Sequence, residues 1–308
     1  MSKVIVTGAN GFVGQHLLKE LLGNGYEVVA VGGSQGAPLG GQAGVQAMTL
    51  DLTKPDEAAQ IDFSGASGVV HLAGLAAVGP SFDDPKLYMN VNVGLEINLF
   101  EAALKQNAKP RFLVISSGTL YDPKAQQPLT EESPVLPNSP YAVSKLGQEQ
   151  MALYYETRSF DAIIARPFNH IGPGQGPGFI VPDFAQQLVA IEKGGQQELS
   201  VGNLDAKRDY TDVRDIVRAY RLLLEKGRSG EVYNICSGRS LNGHEILDGL
   251  CQAAGLKPEI KQDPSKMRPS DTPLVSASYD KLAHDTGWQP EIALETTFAD
   301  VIADWRNR

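Results

Sequence analysis

The stretch Lys3-Val4-Ile5-Val6-Thr7-Gly8-Ala9-Asn10-Gly11-Phe12-Val13-Gly14 joins a short apolar segment to a loop with glycines at 8, 11 and 14. Residues 3–7 are mostly β-branched and predict a buried strand. Gly8 allows a tight turn, Gly11 lets the backbone approach a pyrophosphate, and Gly14 lets a helix pack close to the strand. The N–H groups at the start of that helix favour anionic phosphates. Strand, loop and helix in this order predict a dinucleotide-binding unit rather than an ordinary glycine-rich turn.

The rest of the first half alternates between predicted strands and helices. The first helix is expected to end near Gly23. Further strands are predicted at 27–31, just before Asp51, and at 69–74, 111–115 and 161–165, with helices at 85–107 and 140–157. This alternation is typical of an α/β fold built on a Rossmann-type, doubly wound parallel sheet. Ligands of such sheets bind at the carboxyl ends of the strands, so site residues are expected directly after them.

The second half of the chain begins with a change in amino-acid composition. Residues 166–178 are rich in glycine and proline and predict a crossing into a smaller unit. We expect residues 1–166 to form an NAD(P)-binding domain and residues 167–308 to form mainly a smaller C-terminal α/β substrate-binding domain. Residues 212–238 are expected to rejoin the first domain through a strand at 232–235.

Composition limits the function classes. The chain has 308 residues, 42% of them hydrophobic, which is enough for a sizeable core, and its net charge of −9 argues against a nucleic-acid partner. No long apolar run or signal-peptide pattern is seen, so we expect no membrane partner. The two cysteines, Cys236 and Cys251, fit a reducing, cytoplasmic location. The five histidines lack the spacing of a metal site, so no metal is expected.

A second stretch, Ser139-Pro140-Tyr141-Ala142-Val143-Ser144-Lys145, places a phenol and an amine four residues apart, on one face of a helix. Ser139 suits the N-cap position and Pro140 the first helical position. A neighbouring ammonium favours a phenolate, so we expect Lys145 to lower the pKa of Tyr141 and to let it exchange a proton at neutral pH. The alternative interpretation is an exposed helix with a packed tyrosine and a solvated lysine.

Two residues at strand ends are candidates for the same cleft. Ser117 follows the strand at 111–115, where its hydroxyl could polarise a carbonyl oxygen, although serine is equally common there as a turn or cap residue. His71 ends the strand at 69–74, and we expect it to be a satisfied core histidine rather than a catalyst. The fourth strand closes on small residues, Ala73 and Gly74, as a cofactor path requires.

The segment after the second strand bears on cofactor choice. An NAD-selective site often has an acidic residue here, which binds the ribose hydroxyls. This chain has Gly32-Gly33-Ser34-Gln35-Gly36, with neither an acid to repel a 2′-phosphate nor an arginine to bind one. We expect NADPH as the cofactor, with NADH possible.

Taken in order, the glycine loop, Ser117, Tyr141 and Lys145 make the chain similar to the extended short-chain dehydrogenase/reductase family from end to end. Three segments further resemble the branch of that family that acts on GDP-mannose derivatives. They are Ala165-Arg166-Pro167-Phe168-Asn169-His170-Ile171-Gly172-Pro173-Gly174-Gln175, Gly202-Asn203-Leu204-Asp205-Ala206-Lys207-Arg208-Asp209 and Arg268-Pro269-Ser270-Asp271.

The resemblance implies roles for individual residues. The implied catalytic residues are Ser117, Tyr141 and Lys145. The implied cofactor-binding residues are Gly8, Gly11, Phe12, Val13, Gly14, Asp51, Leu52, Leu72, Ala73, Gly74, Tyr141 and Lys145. The implied residues for a GDP-sugar substrate are Ser117, Asn169, Lys207, Arg208, Arg268 and Asp271. In this scheme the two arginines neutralise the diphosphate through charge-assisted hydrogen bonds.

One departure from related dehydratases narrows the implied reaction. Those enzymes carry a glutamate two positions beyond the catalytic hydroxyl residue, where this chain has Thr119. A threonine cannot abstract the C5 proton of the sugar, so elimination of water lacks its base. The resemblance therefore implies reduction of the C4 ketone of GDP-4-keto-6-deoxy-D-mannose to GDP-6-deoxy-D-mannose (GDP-D-rhamnose), with Tyr141 as general acid.

Three alternatives stay open. A reductase with the opposite facial choice would form GDP-6-deoxy-D-talose, and an epimerase or dehydratase would retain its cofactor through a complete cycle. A non-catalytic dinucleotide sensor would bind cofactor and consume none. Family analogy also implies a homodimer, in which the helices that follow Pro85 and Pro140 pack against their mates.

Overall fold

The computed structural model describes residues 2–36, 39, 41, 43–266 and 272–308. The strands are β1 Lys3–Thr7, β2 Glu27–Gly32, β3 Val45–Thr49, β4 Ala66–His71, β5 Arg111–Ile115, β6 Ala162–Pro167, β7 Asn169–Ile171, β8 Glu198–Val201, β9 Arg208–Asp212, β10 Val232–Ile235, β11 Ser240–Leu241 and β12 Glu259–Gln262. The α-helices are α1 Phe12–Gly23, α2 Pro55–Ala58, α3 Pro85–Tyr88, α4 Gly94–Lys105, α5 Pro140–Glu156, α6 Ile180–Glu192, α7 Val213–Lys226, α8 Gly243–Ala254, α9 Asp280–Thr286 and α10 Leu294–Arg306.

A seven-stranded sheet organises the molecule. Its order is β10-β6-β5-β4-β1-β2-β3, and every neighbouring pair is parallel. The order reverses between β1 and β4, which is the point where ligands of doubly wound sheets bind. The predicted Rossmann-type fold is confirmed. The strand at 232–235 lies at the edge of this sheet beside β6, so the chain returns to it after an excursion of about sixty residues.

Both faces of the main sheet are covered. On one face, α1 and α7 pack around a core that includes Leu17, Ile216 and Trp288. On the other face, α4 and α5 enclose a core that includes Phe100 and Tyr155. The buried strands read as continuous apolar runs because neither face meets water.

The smaller C-terminal unit has its own core. Helices α6, α8 and α10 pack together and enclose Leu188, Leu250 and Ile302. Two small sheets accompany them, one of order β11-β9-β7 and one formed by β12 and β8. The assignment of this unit to substrate binding stays a prediction. None of the described helices combines the length and the apolar character needed to cross a membrane.

The helix predicted as one piece at 85–107 is interrupted. Residues Met89–Val93 form a π-helical turn between α3 and α4. At this turn the buried Asn92 points inward, donates to the Leu75 carbonyl at 3.2 Å and accepts from the Leu75 N–H at 2.7 Å. π-turns inside helices often mark functional regions, and this one faces the segment that follows β4.

Candidate active site

The glycine loop closes tightly onto the end of β4. A Cβ at Gly14 would lie 2.3 Å from the Gly8 carbonyl oxygen, and one at Gly8 would lie 2.7 Å from the Ala73 nitrogen. Gly8 also has φ +66°, a conformation that favours glycine. The N-cap of α1 is Gly11, so no side chain covers the free N–H groups of the first turn. The loop thus presents backbone donors on a concave surface, which fits the pyrophosphate of a dinucleotide.

Phe12 ties this loop to the segment after β6. Its ring stacks against His170 with centroids 6.3 Å apart and meets His16 edge-on at 5.5 Å. His16 in turn bonds to the Pro173 carbonyl at 2.8 Å. The glycine/proline-rich excursion is therefore fixed against the start of α1 rather than loose in solvent.

Asn10 shapes the turn after β2. Its Nδ2 donates to the carbonyls of Gly33 at 3.0 Å and Gln35 at 2.5 Å. Cβ atoms at Gly32 and Gly36 would both lie within 2.8 Å of the Asn10 side chain. The turn that carries no acidic residue is thus folded directly onto the glycine loop.

The predicted adenine contacts differ from one another in exposure. Leu52 is buried, and its carbonyl accepts from Asn98 Nδ2 at 2.9 Å. Asp51 is exposed, and hydrogen bonds from Thr53 hold its pKa below the usual range. Both lie after β3, at the carboxyl edge of the sheet.

Ser117 follows β5 at the same edge. The side chain is 7% exposed, and its Oγ accepts from the Thr119 N–H at 3.2 Å and the Thr119 hydroxyl at 3.0 Å. The loop is held in place by Phe168, whose ring would lie 2.8 Å from a Cβ at Gly118. Both Thr119 contacts use Ser117 Oγ as acceptor, which leaves the Ser117 hydroxyl proton available for another acceptor.

Tyr141 and Lys145 lie on the buried face of α5. Ser139 caps this helix by accepting from the Ala142 N–H at 3.2 Å, and Pro140 begins it, as predicted. The Ser117 hydroxyl lies close enough to the Tyr141 phenol to lower its pKa. Lys145 Nζ donates to the Ile115 carbonyl at 2.9 Å and to Gln148 Oε1 at 2.8 Å. Ser117 thus follows the carboxyl end of β5, and Tyr141 and Lys145 lie in the first turns of α5 beside it, within one cleft.

The pKa of Tyr141 is raised in this structure, not lowered as we expected. Burial of the phenol is the main cause, and the nearby Ser117 hydroxyl only partly opposes it. Burial also lowers the pKa of Lys145 to about 8. The two shifts have one cause, since a desolvated site disfavours each charged form. Tyr141 is therefore a neutral phenol at pH 7, in the protonation state of a proton donor.

A buried ion pair supports α5 from behind. Arg166 on β6 makes a bidentate pair with Glu149, with Nε–Oε1 2.8 Å and Nη2–Oε2 2.7 Å. The guanidinium also lies 4.9 Å from the Tyr121 ring centre. Arg166, which we placed at a domain boundary, thus cross-links the main sheet to the helix that carries Tyr141.

The predicted substrate residues that the structure describes gather on the small sheet. Asn169 on β7 is exposed and lies opposite Tyr210 of β9 in the parallel pairing of the two strands. Arg208 begins β9 and donates to the Lys207 and Thr272 carbonyls at 2.8 and 2.6 Å. Lys207 is exposed. The predicted contacts Arg268 and Asp271 lie outside the described residues.

Several polar residues near the site were not singled out from the sequence. Asn10, Asn92, Glu96, Gln148 and Glu149 are examples. Gln148 and Glu149 stand three and four positions after Lys145, so helical spacing alone placed them on its face. No sequence signal marked Glu96, because its neighbours come from another helix. No group of three or more His, Cys, Asp or Glu side chains within the described residues could hold a metal ion.

His71 is buried, as predicted, but within the described residues its Nε2 has no hydrogen-bond partner. It is 1% exposed, and its Nδ1 lies 2.8 Å from Thr7 Oγ1. Burial and the nearby Lys145 charge lower its pKa to about 3. The imidazole is therefore neutral at pH 7.

Comparison with known proteins gives the same picture as the geometry. Residues 4–236 match the model of the NAD dependent epimerase/dehydratase family. The chain is 36% identical to GDP-6-deoxy-D-mannose reductase from Pseudomonas aeruginosa, over 99% of this chain and 98% of that one. It is 31% identical to GDP-6-deoxy-D-talose 4-dehydrogenase from Aggregatibacter actinomycetemcomitans, over 92% and 91%.

A solved structure agrees along the whole length. RMD from Pseudomonas aeruginosa, complexed with NADPH, superimposes with a TM-score of 0.88 at 34% identity and covers 100% of both chains. The glycine loop, the strand-end serine and the tyrosine–lysine helix thus stand in a fold shared from end to end. The chain belongs to the NAD dependent epimerase/dehydratase family.

Proposed function

We propose that this chain reduces the C4 ketone of GDP-4-keto-6-deoxy-D-mannose to GDP-6-deoxy-D-mannose, with NADPH as the hydride source. The observation that carries the proposal is that Ser117, Tyr141 and Lys145 are buried together where β5 ends and α5 begins, with Lys145 Nζ bonded to the Ile115 carbonyl at 2.9 Å. The 36% identity to GDP-6-deoxy-D-mannose reductase supports the choice of substrate. Thr119, whose hydroxyl bonds Ser117, supports reduction rather than elimination.

The residues that would hold the cofactor follow the edge of the sheet. Gly8, Gly11, Phe12, Val13, Gly14 and the start of α1 would bind the pyrophosphate, Asp51 and Leu52 the adenine, and Leu72, Ala73 and Gly74 the path to the nicotinamide. The reduced nicotinamide, when bound, supplies the hydride. The turn at 32–36 without an acidic residue favours NADPH, and NADH stays possible.

The chain's own groups carry the proton chemistry. The hydroxyls of Ser117 and Tyr141 would donate to the carbonyl oxygen as negative charge develops on it. Tyr141 would then transfer its phenolic proton to that oxygen. The Lys145 ammonium would stabilise the phenolate that remains. A general acid of this kind accelerates a reaction by roughly 10²–10⁴-fold.

The small sheet would hold the nucleotide part of the substrate. Arg208 and Lys207 bring positive charge to β9, opposite the exposed Asn169 on β7. Phe168 links this edge to the Ser117 loop through its packing on Gly118. We propose that Arg268 and Asp271 complete this site.

A second candidate is the same reduction with the opposite C4 configuration. The 31% identity to GDP-6-deoxy-D-talose 4-dehydrogenase favours it, and Ser117 and Tyr141 serve either face. The family also includes epimerases, which an assay of net cofactor consumption separates from reductases.

We further propose a cytoplasmic homodimer. Cys236 and Cys251 are both unpaired, as in a reducing compartment. Side chains around α3 and α5 are unusually exposed for their apolar character, including Leu87 at 45% and Val143 at 45%. A second copy would cover them.

The testing experiment mixes the protein with GDP-4-keto-6-deoxy-D-mannose and NADPH, and separately NADH, and follows nicotinamide absorbance. NMR of the product then gives the C4 configuration. The proposal expects stoichiometric NADPH oxidation and a rhamno product. A talo product would select the second candidate, and an unchanged cofactor level would reject reduction altogether.

A further inference from the structure

Glu96 is a fully buried carboxyl group that the proposed chemistry leaves unexplained. It lies on α4, is 0% exposed and faces α5. Among the described residues, neither of its carboxylate oxygens has a hydrogen-bond partner of good geometry, and the same is true of Gln148 Nε2. Burying a carboxyl group without hydrogen-bond partners is costly. We therefore looked for a buried positive charge with which Glu96 interacts.

Gln148 connects Glu96 to the catalytic lysine. Its Oε1 accepts from Lys145 Nζ at 2.8 Å, which leaves the amide nitrogen as the end of the side chain nearer to Glu96. The Gln148 side chain is close enough to oppose the rise that burial causes in the pKa of Glu96. Lys145, Gln148 and Glu96 therefore form a buried row, from the cleft into the α4–α5 interface.

The other charges around this row are already compensated. Glu149 on α5 is held by Arg166 of β6 at 2.7 Å, and both are buried. His71 on β4 is neutral, because its pKa is lowered to about 3. The Tyr141 phenol is neutral as well. Within the described part of the chain, Lys145 is the positive charge that acts on Glu96.

We propose that Glu96 is a positioning residue for Lys145, and that its buried carboxylate keeps the Lys145 ammonium protonated at the pH where the enzyme works. The role rests on the proposed function, since Lys145 acts there on Tyr141. The charges act on each other in both directions: Glu96 raises the pKa of Lys145, and Lys145 lowers that of Glu96. The two groups titrate as a coupled pair.

The direct test observes the Lys145 side chain itself. Lysine labelled with ¹³C at Cε is titrated by NMR in the cofactor-free protein, and the Lys145 signal is assigned by its loss in Lys145→Arg. The wild-type midpoint is expected near pH 8. In Glu96→Gln, which keeps the shape and removes the charge, we expect the midpoint to fall by roughly one pH unit. Glu96→Asp should restore most of it.

Glu101→Gln is the matched control. Glu101 also lies on α4 and also bonds α5, through the Tyr155 hydroxyl at 2.8 Å, yet it is not among the charges that act on Lys145. The Lys145 midpoint in Glu101→Gln should equal that of the wild type. An unchanged Lys145 midpoint in Glu96→Gln would overturn the proposal.

Two further readouts keep the test decisive. If Glu96→Gln does not fold, the Glu96 carboxyl carbon is titrated in the wild type. A midpoint above the pH at which the enzyme works would equally overturn the proposal, because Glu96 would then carry no charge. If the protein reduces the ketosugar, the alkaline limb of kcat should move with the Lys145 midpoint while the KM for substrate changes little. If it reduces none, the proposed function fails, and the NMR midpoint still decides the role of Glu96.

Discussion

At the scale of single residues, the proposed chemistry uses a neutral phenol at Tyr141 and an ammonium at Lys145. Burial acts on both, raising the pKa of Tyr141 and lowering that of Lys145 to about 8. The first shift preserves a proton for transfer, and the second sets an upper pH limit for the positive charge. The spacing in the sequence correctly predicted that the two groups share one helix face. Their pKa shifts were not predictable, because desolvation depends on what packs over that face.

His71 should make the protein sensitive to acid. Its pKa is 6.5 in the unfolded chain and about 3 when folded, so the unfolded state binds the proton more readily. This stabilisation is complete above pH 6.5 and is lost as the pH falls from 6.5 toward 3. Between pH 7 and pH 5, urea unfolding should show that the wild type loses roughly 2 kcal/mol more than His71→Asn.

The exposed His244 provides the control for this measurement. His244→Asn should follow the wild-type dependence on pH. Parallel curves for His71→Asn and wild type would show that the buried imidazole does not set the acid limit.

At the scale of elements, α5 is organised from its first residue. Ser139 caps it, Gly147 allows the π-turn to approach, and Glu149 ties it to β6. A Cβ at Gly147 would lie 2.9 Å from a Val93 methyl carbon, so a larger residue there would push the two helices apart.

Removing the cap should destabilise the fold measurably. Ser139→Ala deletes the acceptor of the Ala142 N–H in a buried position, and we expect a loss of about 1 kcal/mol in the free energy of unfolding. Ser139→Thr keeps the hydroxyl and should lose much less. Equal stability of Ser139→Ala and wild type in denaturant titrations would contradict the capping role.

The strands and most helices were predictable because each has a local signal. Residues 111–115 and 140–156, for example, combine an apolar or amphipathic pattern with clear end residues. The π-turn at 89–93 was not predictable, because it depends on Asn92 reaching the backbone of Leu75, seventeen residues earlier. The proximity of Glu96 to Gln148 was not predictable either, because it arises only when α4 packs on α5.

At the scale of the whole molecule, the sheet brings distant segments to one edge. The glycine loop, Ser117 and the small sheet with Asn169 come from three parts of the chain and meet beside the carboxyl ends of the strands. Family likeness covers this entire arrangement, and in the proposed function the small sheet holds the nucleotide part of the substrate.

The proposed homodimer makes a separate prediction. A charge at Val143 or Tyr154, which are 45% and 49% exposed and lie three turns apart on α5, should shift the protein toward monomers. We expect Val143→Glu and Tyr154→Glu to halve the mass measured by light scattering after gel filtration. Phe179→Glu, equally exposed at 45% but at the start of α6, is the control and should leave the mass unchanged. A monomeric wild type would rule out the dimer.

The central claim is that Tyr141 is the general acid of a carbonyl reduction. The measurement is single-turnover oxidation of bound NADPH by GDP-4-keto-6-deoxy-D-mannose in wild type and Tyr141→Phe, with NADPH affinity measured in both by fluorescence. We predict that the NADPH affinity stays unchanged within a few-fold and that the rate in the variant is lower by roughly 10²–10⁴. A Tyr141→Phe rate close to that of the wild type would contradict it.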